Sequence, residues 1–589
     1  MINEQKDLRR PPHRRDRAVA SGRIKSRSAQ GKTIERPAGR TGRGLGYRLV
    51  YQGVVLAAVS IIVRLIGMMY RIPLISIIGY EGNGYYTSAF SVYTLLLLFS
   101  SYSMPIALSK IVSEDLTAHR YRNISRVMKA TLLYATVIGA TFFLILWFGA
   151  EPMAMLLRKP FSKFVLRALA PSLWLMAYLS VMRGYFQGSG DMIPTAVSQI
   201  LEQIVNAIVS LLVAKLFYHK GMIANRLYET TDYGFAFGAK GAAVGTGAGI
   251  LVAFLFLVML YRMGAWHRNR QLRRDETEPD DYRSIFARLQ KTLLPFLVTV
   301  VIYNSASVID DFLYGNVMNV LGTAEKLVAE WGVYGEYHML FNIPVAMASA
   351  MSLAVVPGLT RAVNRYDRQE MENGIHYALR ATMLVAIPAG VGLLALARPI
   401  VMLLFPGEQM ELLIRLIRIG SAATICYSFA VVTTGILLGL GFLVKPLVHS
   451  VIALLLHTIV LTALLFTGSG IYGVVLANIL FAVLMSAMNM FSIHKHTQFR
   501  QDIARTYVVP AVAAGVMGIV VFALSEGMQR CLPTAVTKIW PTEVVCTIPM
   551  IFFGAWIYVV FLNLLKDFTA EDAEQLPFFN KFIWRRYRR

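Results

Sequence analysis

Apolar runs of about twenty residues recur along this chain between short polar breaks, the length a helix needs to cross a hydrocarbon core of about 30 Å. The first run, Leu49 to Tyr80, carries Arg64 and Arg71, with Pro73 just behind them. Gly79 to Gly84 then reads as a tight turn, and Tyr85 to Val112 as a second span with Pro105 near its end. Spans three to six are expected at Val127 to Phe148, Phe164 to Phe186, Thr195 to Phe217 and Gly241 to Met263. After a polar, basic stretch, spans seven to twelve follow at Leu289 to Leu313, Glu336 to Pro357, Ala378 to Ala397, Ile414 to Leu438, Pro446 to Phe466 and Gly470 to Ile493. Tyr507 to Ser525 and Val544 to Leu565 bring the count to 14.

The two halves repeat. Lys129-Ala-Thr-Leu-Leu matches Arg380-Ala-Thr-Met-Leu (380 − 129 = 251), and Gly184, Gly188 and Gly190 match Gly435, Gly439 and Gly441 at the same displacement (435 − 184 = 251). Glu151-Pro-Met-Ala-Met-Leu-Leu echoes Arg398-Pro-Ile-Val-Met-Leu-Leu. Matched segments fall on the same side of the membrane, so the repeat is parallel, two lobes related by an axis along the membrane normal. The expected fold is an all-α polytopic membrane protein of 14 transmembrane helices: two parallel-repeated six-helix lobes plus two C-terminal helices. The expected divisions are a disordered basic tail (1–48), an N-lobe (49–263), a linker (264–288), a C-lobe (289–493), spans 13 and 14 (494–566) and a C-terminal tail (567–589). A cavity between two such lobes, opened to either side by rocking, is the motion this architecture permits.

Composition excludes a soluble enzyme: 56% of residues are hydrophobic, 16% are charged and mean hydropathy is +0.53. The net charge of +24 is gathered in tails and loops, which argues for membrane orientation rather than nucleic-acid binding. The first 48 residues alone hold 14 Lys or Arg. Arg120, Arg122, Arg126, Arg268, Arg270, Arg273, Arg274, Arg361, Arg365, Arg368, Lys495 and Arg500 share one side with both tails, so that side is the cytoplasm. Arg158, Lys159 and Lys163 dissent, standing on the opposite side.

An arginine mid-span costs roughly 2.5 to 3.5 kcal/mol on insertion scales. Arg64 and Arg71 therefore either face an aqueous cavity and an anionic partner, for which the planar guanidinium suits phosphate, or snorkel to an interface. In the fifth span Gln199, Glu202, Asn206 and Ser210 share one helical face that would line the lobe interior or the central cavity. Asn304, Ser307 and Asp311, with Asp310 adjacent, form a similar stripe in the seventh. Asp310 and Asp311 either cap its outer end in water or, like Glu202, serve ion coupling. Gly241, Gly245 and Gly249 predict a close helix contact. His449 and His457 share a side of the eleventh span without carboxylate or cysteine partners, and Cys426, Cys531 and Cys546 have no ligand spacing, so no metal site is expected. No catalytic residues and no cofactor are expected, with transport driven by membrane potential, H+ or Na+.

Gly79-Tyr-Glu-Gly-Asn-Gly-Tyr-Tyr, Met104-Pro-Ile-Ala-Leu-Ser-Lys-Ile-Val-Ser-Glu114, Arg183-Gly-Tyr-Phe-Gln-Gly-Ser-Gly-Asp-Met-Ile-Pro194 and Phe341-Asn-Ile-Pro-Val-Ala346 stand in this order. Together they resemble the stage V sporulation protein B and MurJ-type branch of the MOP exporter superfamily, over about Tyr47 to Pro577. The resemblance implies a flippase of a polyprenyl-pyrophosphate-linked saccharide, chiefly the peptidoglycan precursor lipid II, in the bacterial cytoplasmic membrane with both termini cytoplasmic. It implies pyrophosphate binding at Arg64 and Arg71. A sodium site in part of the family uses an eleventh-span carboxylate, and Pro446 to Phe466 has no Asp or Glu, so sodium coupling is not carried over. Membrane lipids and the cell-wall synthesis machinery are the implied partners, and a monomer is expected. The alternatives are an exporter of another lipid-linked unit, a multidrug or cation antiporter of the same superfamily, an enzyme of lipid-linked sugars, and a scaffold.

Overall fold

A computed structural model describes residue 59 and residues 62–102, 104–442, 444–531 and 542–565. The expected tails, 1–48 and 567–589, and the start of the first span lie outside the described residues. Every regular element among the described residues is helical. In order these are residues 62–69, then α1 (Arg71–Leu97), a π turn (Leu98–Tyr102), α2 (Met104–Thr117), α3 (Tyr121–Leu156), α4 (Ser162–Gly188), α5 (Ile193–Tyr228), α6 (Asp232–Met263) and α7 (Ala265–Arg274). They continue as α8 (Tyr282–Val320), a 3-10 turn (Ala324–Lys326), α9 (Leu327–Asn364), α10 (Arg368–Ala395), α11 (Ala397–Leu404), α12 (Met410–Gly439), α13 (Val444–Phe466) and α14 (Ile471–Thr497). After a π turn (Ala504–Val508) come α15 (Val509–Cys531) and α16 (Thr542–Leu564).

Eleven stretches among the described residues are long and apolar enough to cross a membrane. The sequence count of fourteen adds the first span and the helices α8 and α9, which run 39 and 38 residues. Because hydrocarbon offers no water to backbone amides, helices that satisfy their own hydrogen bonds are the natural solution for such runs.

The turn expected at Gly79 to Gly84 is narrower than that: Gly79 alone leaves the helical conformation, and residues 80–84 are already helical. Gly79 adopts φ +69° inside α1, a left-handed conformation that a Cβ would strain. The chain reverses there. In a straight helix Tyr86 would lie about 22 Å from Arg71, yet the Arg71 guanidinium sits 5.1 Å from the Tyr86 ring and 5.8 Å from that of Phe90. We call this the hairpin end of the molecule, and the opposite one, where α2 meets α3 and α8 begins, the linker end.

The repeated glycines do the same work in each half. Cβ atoms added at Gly184 and Gly188 would meet Leu108, Ser109 and Val112 of α2 at 2.7–3.0 Å, and those at Gly435 and Gly439 would meet Ser352, Val356 and Leu359 of α9 at 1.8–3.3 Å. Gly190 (φ +78°) and Gly441 (φ +87°) then end the two matched helices in left-handed turns. The Gly241, Gly245 and Gly249 face is also a close contact, and its partner is the fifth-span stripe. A Cβ at Gly245 would lie 2.1 Å from Ser210 Oγ, and one at Gly249 lies 2.4 Å from the Glu202 carbonyl oxygen.

Residues 264–288, the expected linker, carry structure of their own. They include α7 and the first turns of α8, and the segment between is pinned onto the start of α3. Arg120 Nη2 donates to Asp280 at 2.5 Å, Asn123 Nδ2 to Asp280 at 3.0 Å and to Asp115 at 2.8 Å, and the Arg122 amide to Asp275 at 2.6 Å. Acidic residues among the basic ones thus anchor the crossover.

Candidate functional site

Along α9, Val328, Gly332 and Gly335 fall at steps of four and three, one helical face, and the second arm of the α1 hairpin lies in that groove. Cβ atoms at Gly332 and Gly84 would each stand 2.0 Å from a carbonyl oxygen of the other helix, those of Tyr80 and Val328, and one at Gly335 lies 2.4 Å from Thr87 Oγ1. Asn83 Nδ2 donates to the Gly332 carbonyl at 2.7 Å. The halves therefore touch backbone to backbone at the hairpin end.

Arg71 sits on this contact. It lies eight residues from the reversal (79 − 71 = 8), about 12 Å deep at 1.5 Å per residue. Its guanidinium lies beside the Tyr70 and Tyr86 side chains and is within electrostatic reach of Glu336 and His338 on α9. Glu336 is 1% exposed and neither carboxylate oxygen has a hydrogen-bond partner among the described residues. Sequence reading missed Glu336 because it placed the residue at the edge of a span. The start of α9 at Leu327 puts it more than two turns inside.

Arg64 stands apart from Arg71. Seven residues away, and so near the same face of the arm, it is exposed whereas Arg71 is half-buried. Glu202 and Arg183 form a pair at 2.6 Å, with Arg183 also donating to Ser198 at 3.1 Å. Gln199 is half-buried with a carbonyl oxygen that has no partner among the described residues, and Asn304 is half-buried. Of the two settings expected for the fifth-span stripe, lobe interior or central cavity, Asn206 takes the first. It is 7% exposed, held in the α5–α6 contact by Ser210, whose hydroxyl donates to it at 2.9 Å, and it reaches the Tyr70 hydroxyl at 3.4 Å.

Asp310 and Asp311 are not caps in water: they are 1% and 0% exposed. Each has its own partner. Asp311 pairs with Lys159, whose ammonium also donates to Ser88 at 2.8 Å and sits 4.3 Å over the Trp331 ring. Asp310 meets His457 Nε2 at 2.6 Å on one oxygen and accepts from Asn478 Nδ2 at 2.8 Å on the other. The basic loop that broke the charge rule is explained by the same contacts: Lys159 is consumed by Asp311, Lys163 by Glu151 at 2.6 Å, and Arg158 donates to Asn316 at 3.0 Å. The two histidines of α13 go separate ways, His449 bonding Asn489 at 2.8 Å and Ser492 at 3.1 Å.

A cavity of about 740 Å3 opens between α9, α10, α11, α15 and α16. Its lining is almost wholly apolar, with Leu340, Pro344, Pro388, Met517 and Ile551 on its walls and Met68, one turn before Arg71, at its edge. The arrangement juxtaposes a half-buried cation and an oily groove on one face of one helix arm.

The family profile described as "Lipid II flippase MurJ" matches residues 99–539. In Bacillus subtilis (strain 168) the chain is 24% identical to the uncharacterized membrane protein YabM, covering 92% of this chain and 98% of that one. It is 26% identical to lipid II flippase MurJ (79% and 86%) and 22% identical to stage V sporulation protein B (90% and 98%). Among solved structures, lipid II flippase MurJ in an inward closed conformation aligns with TM-score 0.61 at 14% identity, covering 87% of this chain and 98% of that one. An inward-facing multidrug resistance MATE family transporter of the MOP superfamily aligns with TM-score 0.59 at 16% identity, covering 74% and 98%. At these identities the structural likeness shows the fold.

Proposed function

The chain belongs to the lipid II flippase MurJ family, and from that premise we propose that it moves a polyprenyl-pyrophosphate-linked saccharide, lipid II foremost, from the inner to the outer leaflet of a bacterial cytoplasmic membrane. It is a multi-pass membrane transporter and not an enzyme, so no covalent step is needed. What remains is to hold a polyanionic head where water is scarce and let the tail stay in lipid.

The observation that carries this reading is the placement of Arg71, half-buried between the halves and one helical turn from the apolar cavity. A pyrophosphate entering a low-dielectric space needs a fixed cation that cannot lose its proton, and a guanidinium supplies one with a fork of donors. Glu336 serves as the resident counter-charge. The head displaces it on entry, and it helps expel the head when the halves rock, so the site is neither empty of anion nor tightly occupied at either end of the cycle. Polyprenyl chain matches the apolar lining of the 740 Å3 cavity, at roughly 0.8 kcal/mol per buried methylene, a gain close to that in lipid, so the tail is guided without being trapped. Gly79, with the hairpin end, stands on the outer side and both termini on the cytoplasmic side. The close packing around Gly332 and Gly84 then closes the outer path.

A drug-cation antiporter would want an uncompensated carboxylate among aromatic rings, and here Arg71 faces the Glu336 carboxylate. Complementation tests the assignment. A strain depleted of its own lipid II flippase should grow when this chain is expressed and should lyse when the Arg71→Ala variant is expressed at equal level in the membrane. Growth supported equally by both would overturn the proposal.

A further inference from the structure

His457 and Asp310 form a buried pair whose hydrogen bonds dictate its proton content. His457 Nδ1 lies 2.9 Å from the carbonyl oxygen of Ala477, which has no proton to give, so Nδ1 carries the hydrogen. His457 Nε2 is then 2.6 Å from Asp310 Oδ1, and two lone pairs do not approach so closely without a proton between them. With that proton the pair is neutral overall, whether written as imidazolium and carboxylate or as imidazole and carboxylic acid. Without it a carboxylate faces an imidazole lone pair in a place where the residues are 0% and 1% exposed, and the bond between α8 and α13 must break.

The surroundings are built to hold this pair. Asn478 of α14 donates to Asp310 Oδ2 at 2.8 Å and to the Tyr334 hydroxyl at 3.2 Å, while its own oxygen accepts from Tyr427 at 2.8 Å. Among the described residues the titratable and charged groups around the pair are Tyr334 of α9 and Tyr427 of α12, both bonded to Asn478, and Asp311 of α8 with Lys159. The last of these carries the consequence. Asp310 and Asp311 are neighbours on α8, about 100° apart around the helix. One reaches into the second half through His457, and the other reaches the first half through Lys159 and Ser88. A change at Asp310 that shifts α8 therefore bears directly on the contact between halves at the hairpin end. In the first half the place displaced by 251 residues (457 − 251 = 206) holds Asn206 beside Tyr70, which carries no proton to exchange.

We propose that Asp310 and His457 form a proton-binding site that couples the transport cycle to a proton gradient. One proton is taken up between Oδ1 and Nε2 when the site communicates with one side of the membrane and is released to the other. The unloaded pair breaks the α8–α13 bond and, through Asp311 and Lys159, frees the hairpin end to open. This rests on the flippase reading for what is carried, while the proton site stands on its own geometry.

Two measurements on the full chain test it. Nitrogen NMR of the histidines in detergent, with His457→Gln to identify the signal, should show Nδ1 protonated throughout and Nε2 losing its shared proton as the pH is raised; a His457 signal that does not change with pH overturns the site. In vesicles loaded with fluorescent lipid II, a proton gradient should speed flipping several-fold in the wild type, and His457→Gln and Asp310→Asn should both flip slowly and ignore the gradient. Wild-type flipping indifferent to the gradient overturns the coupling but keeps the flippase reading. A wild type that flips no lipid II under either condition overturns the flippase reading and leaves the proton site to the NMR result.

Discussion

Single residues do the electrostatic work of this molecule, and the two that matter most for cost are Lys159 and Asp311, both 0% exposed at the side chain. Two charges taken out of water are tolerable only as a pair. Lys159→Met should therefore destabilise the protein by about 3–5 kcal/mol, because it strands a carboxylate, while Lys159→Met combined with Asp311→Leu should recover most of the loss. Thermal unfolding in detergent measures both. The sequence showed Asp311 as a polar position in an oily helix but could not name its partner, which stands 152 residues away in the loop whose basic residues dissent from the charge rule. Arg71 was legible for the converse reason: a guanidinium inside an apolar run is anomalous whatever surrounds it. Its neighbour Glu336 was not, since a carboxylate near a span boundary is ordinary until the helix is seen to begin at Leu327.

Helices were read from the sequence far better than the segments that join them. The fifth-span stripe left two settings open, lobe interior or central cavity, because a polar face can pack against a glycine face as readily as against water, and at Asn206 and Ser210 it is Gly245 and Gly249 that supply the partner face. The segment before α8 is the clearest case of chemistry hidden in a basic loop. A hydrogen bond from Arg120, in the main, holds the Asp280 carboxyl below its ordinary range. A depressed carboxylate contributes its stability at neutral pH and loses it as pH falls through the folded-state value. Acidification below about pH 4 should thus loosen the crossover onto α3, and Asp280→Asn should flatten that dependence. Limited proteolysis between α7 and α8 across the acid range reads it. Protection that does not vary with pH would contradict the assigned role of the pair.

The whole molecule is two similar halves whose likeness the sequence displayed through three displaced motifs, and the structure gives the likeness a physical cause in the glycines that seat α4 on α2 and α12 on α9. The contact between the halves was illegible, since it depends on backbone approach at Gly332 and Gly84 that no pattern of apolar residues encodes. Gly332→Val should hold the hairpin end apart, because its Cβ would stand 2.0 Å from the Tyr80 carbonyl oxygen. A cysteine introduced by Asn83→Cys should then react faster with a membrane-impermeant reagent added from outside, and equal rates with and without the valine would speak against closure there. The central claim is that a fixed cation between the halves carries an anionic lipid head across the membrane. It is met most directly by the translocation rate of fluorescent lipid II in vesicles containing the purified chain. The account predicts rapid flipping by the wild type, a partial rate for Arg71→Lys, and a rate near that of protein-free vesicles for Arg71→Ala at equal incorporation; wild-type flipping by Arg71→Ala would contradict it.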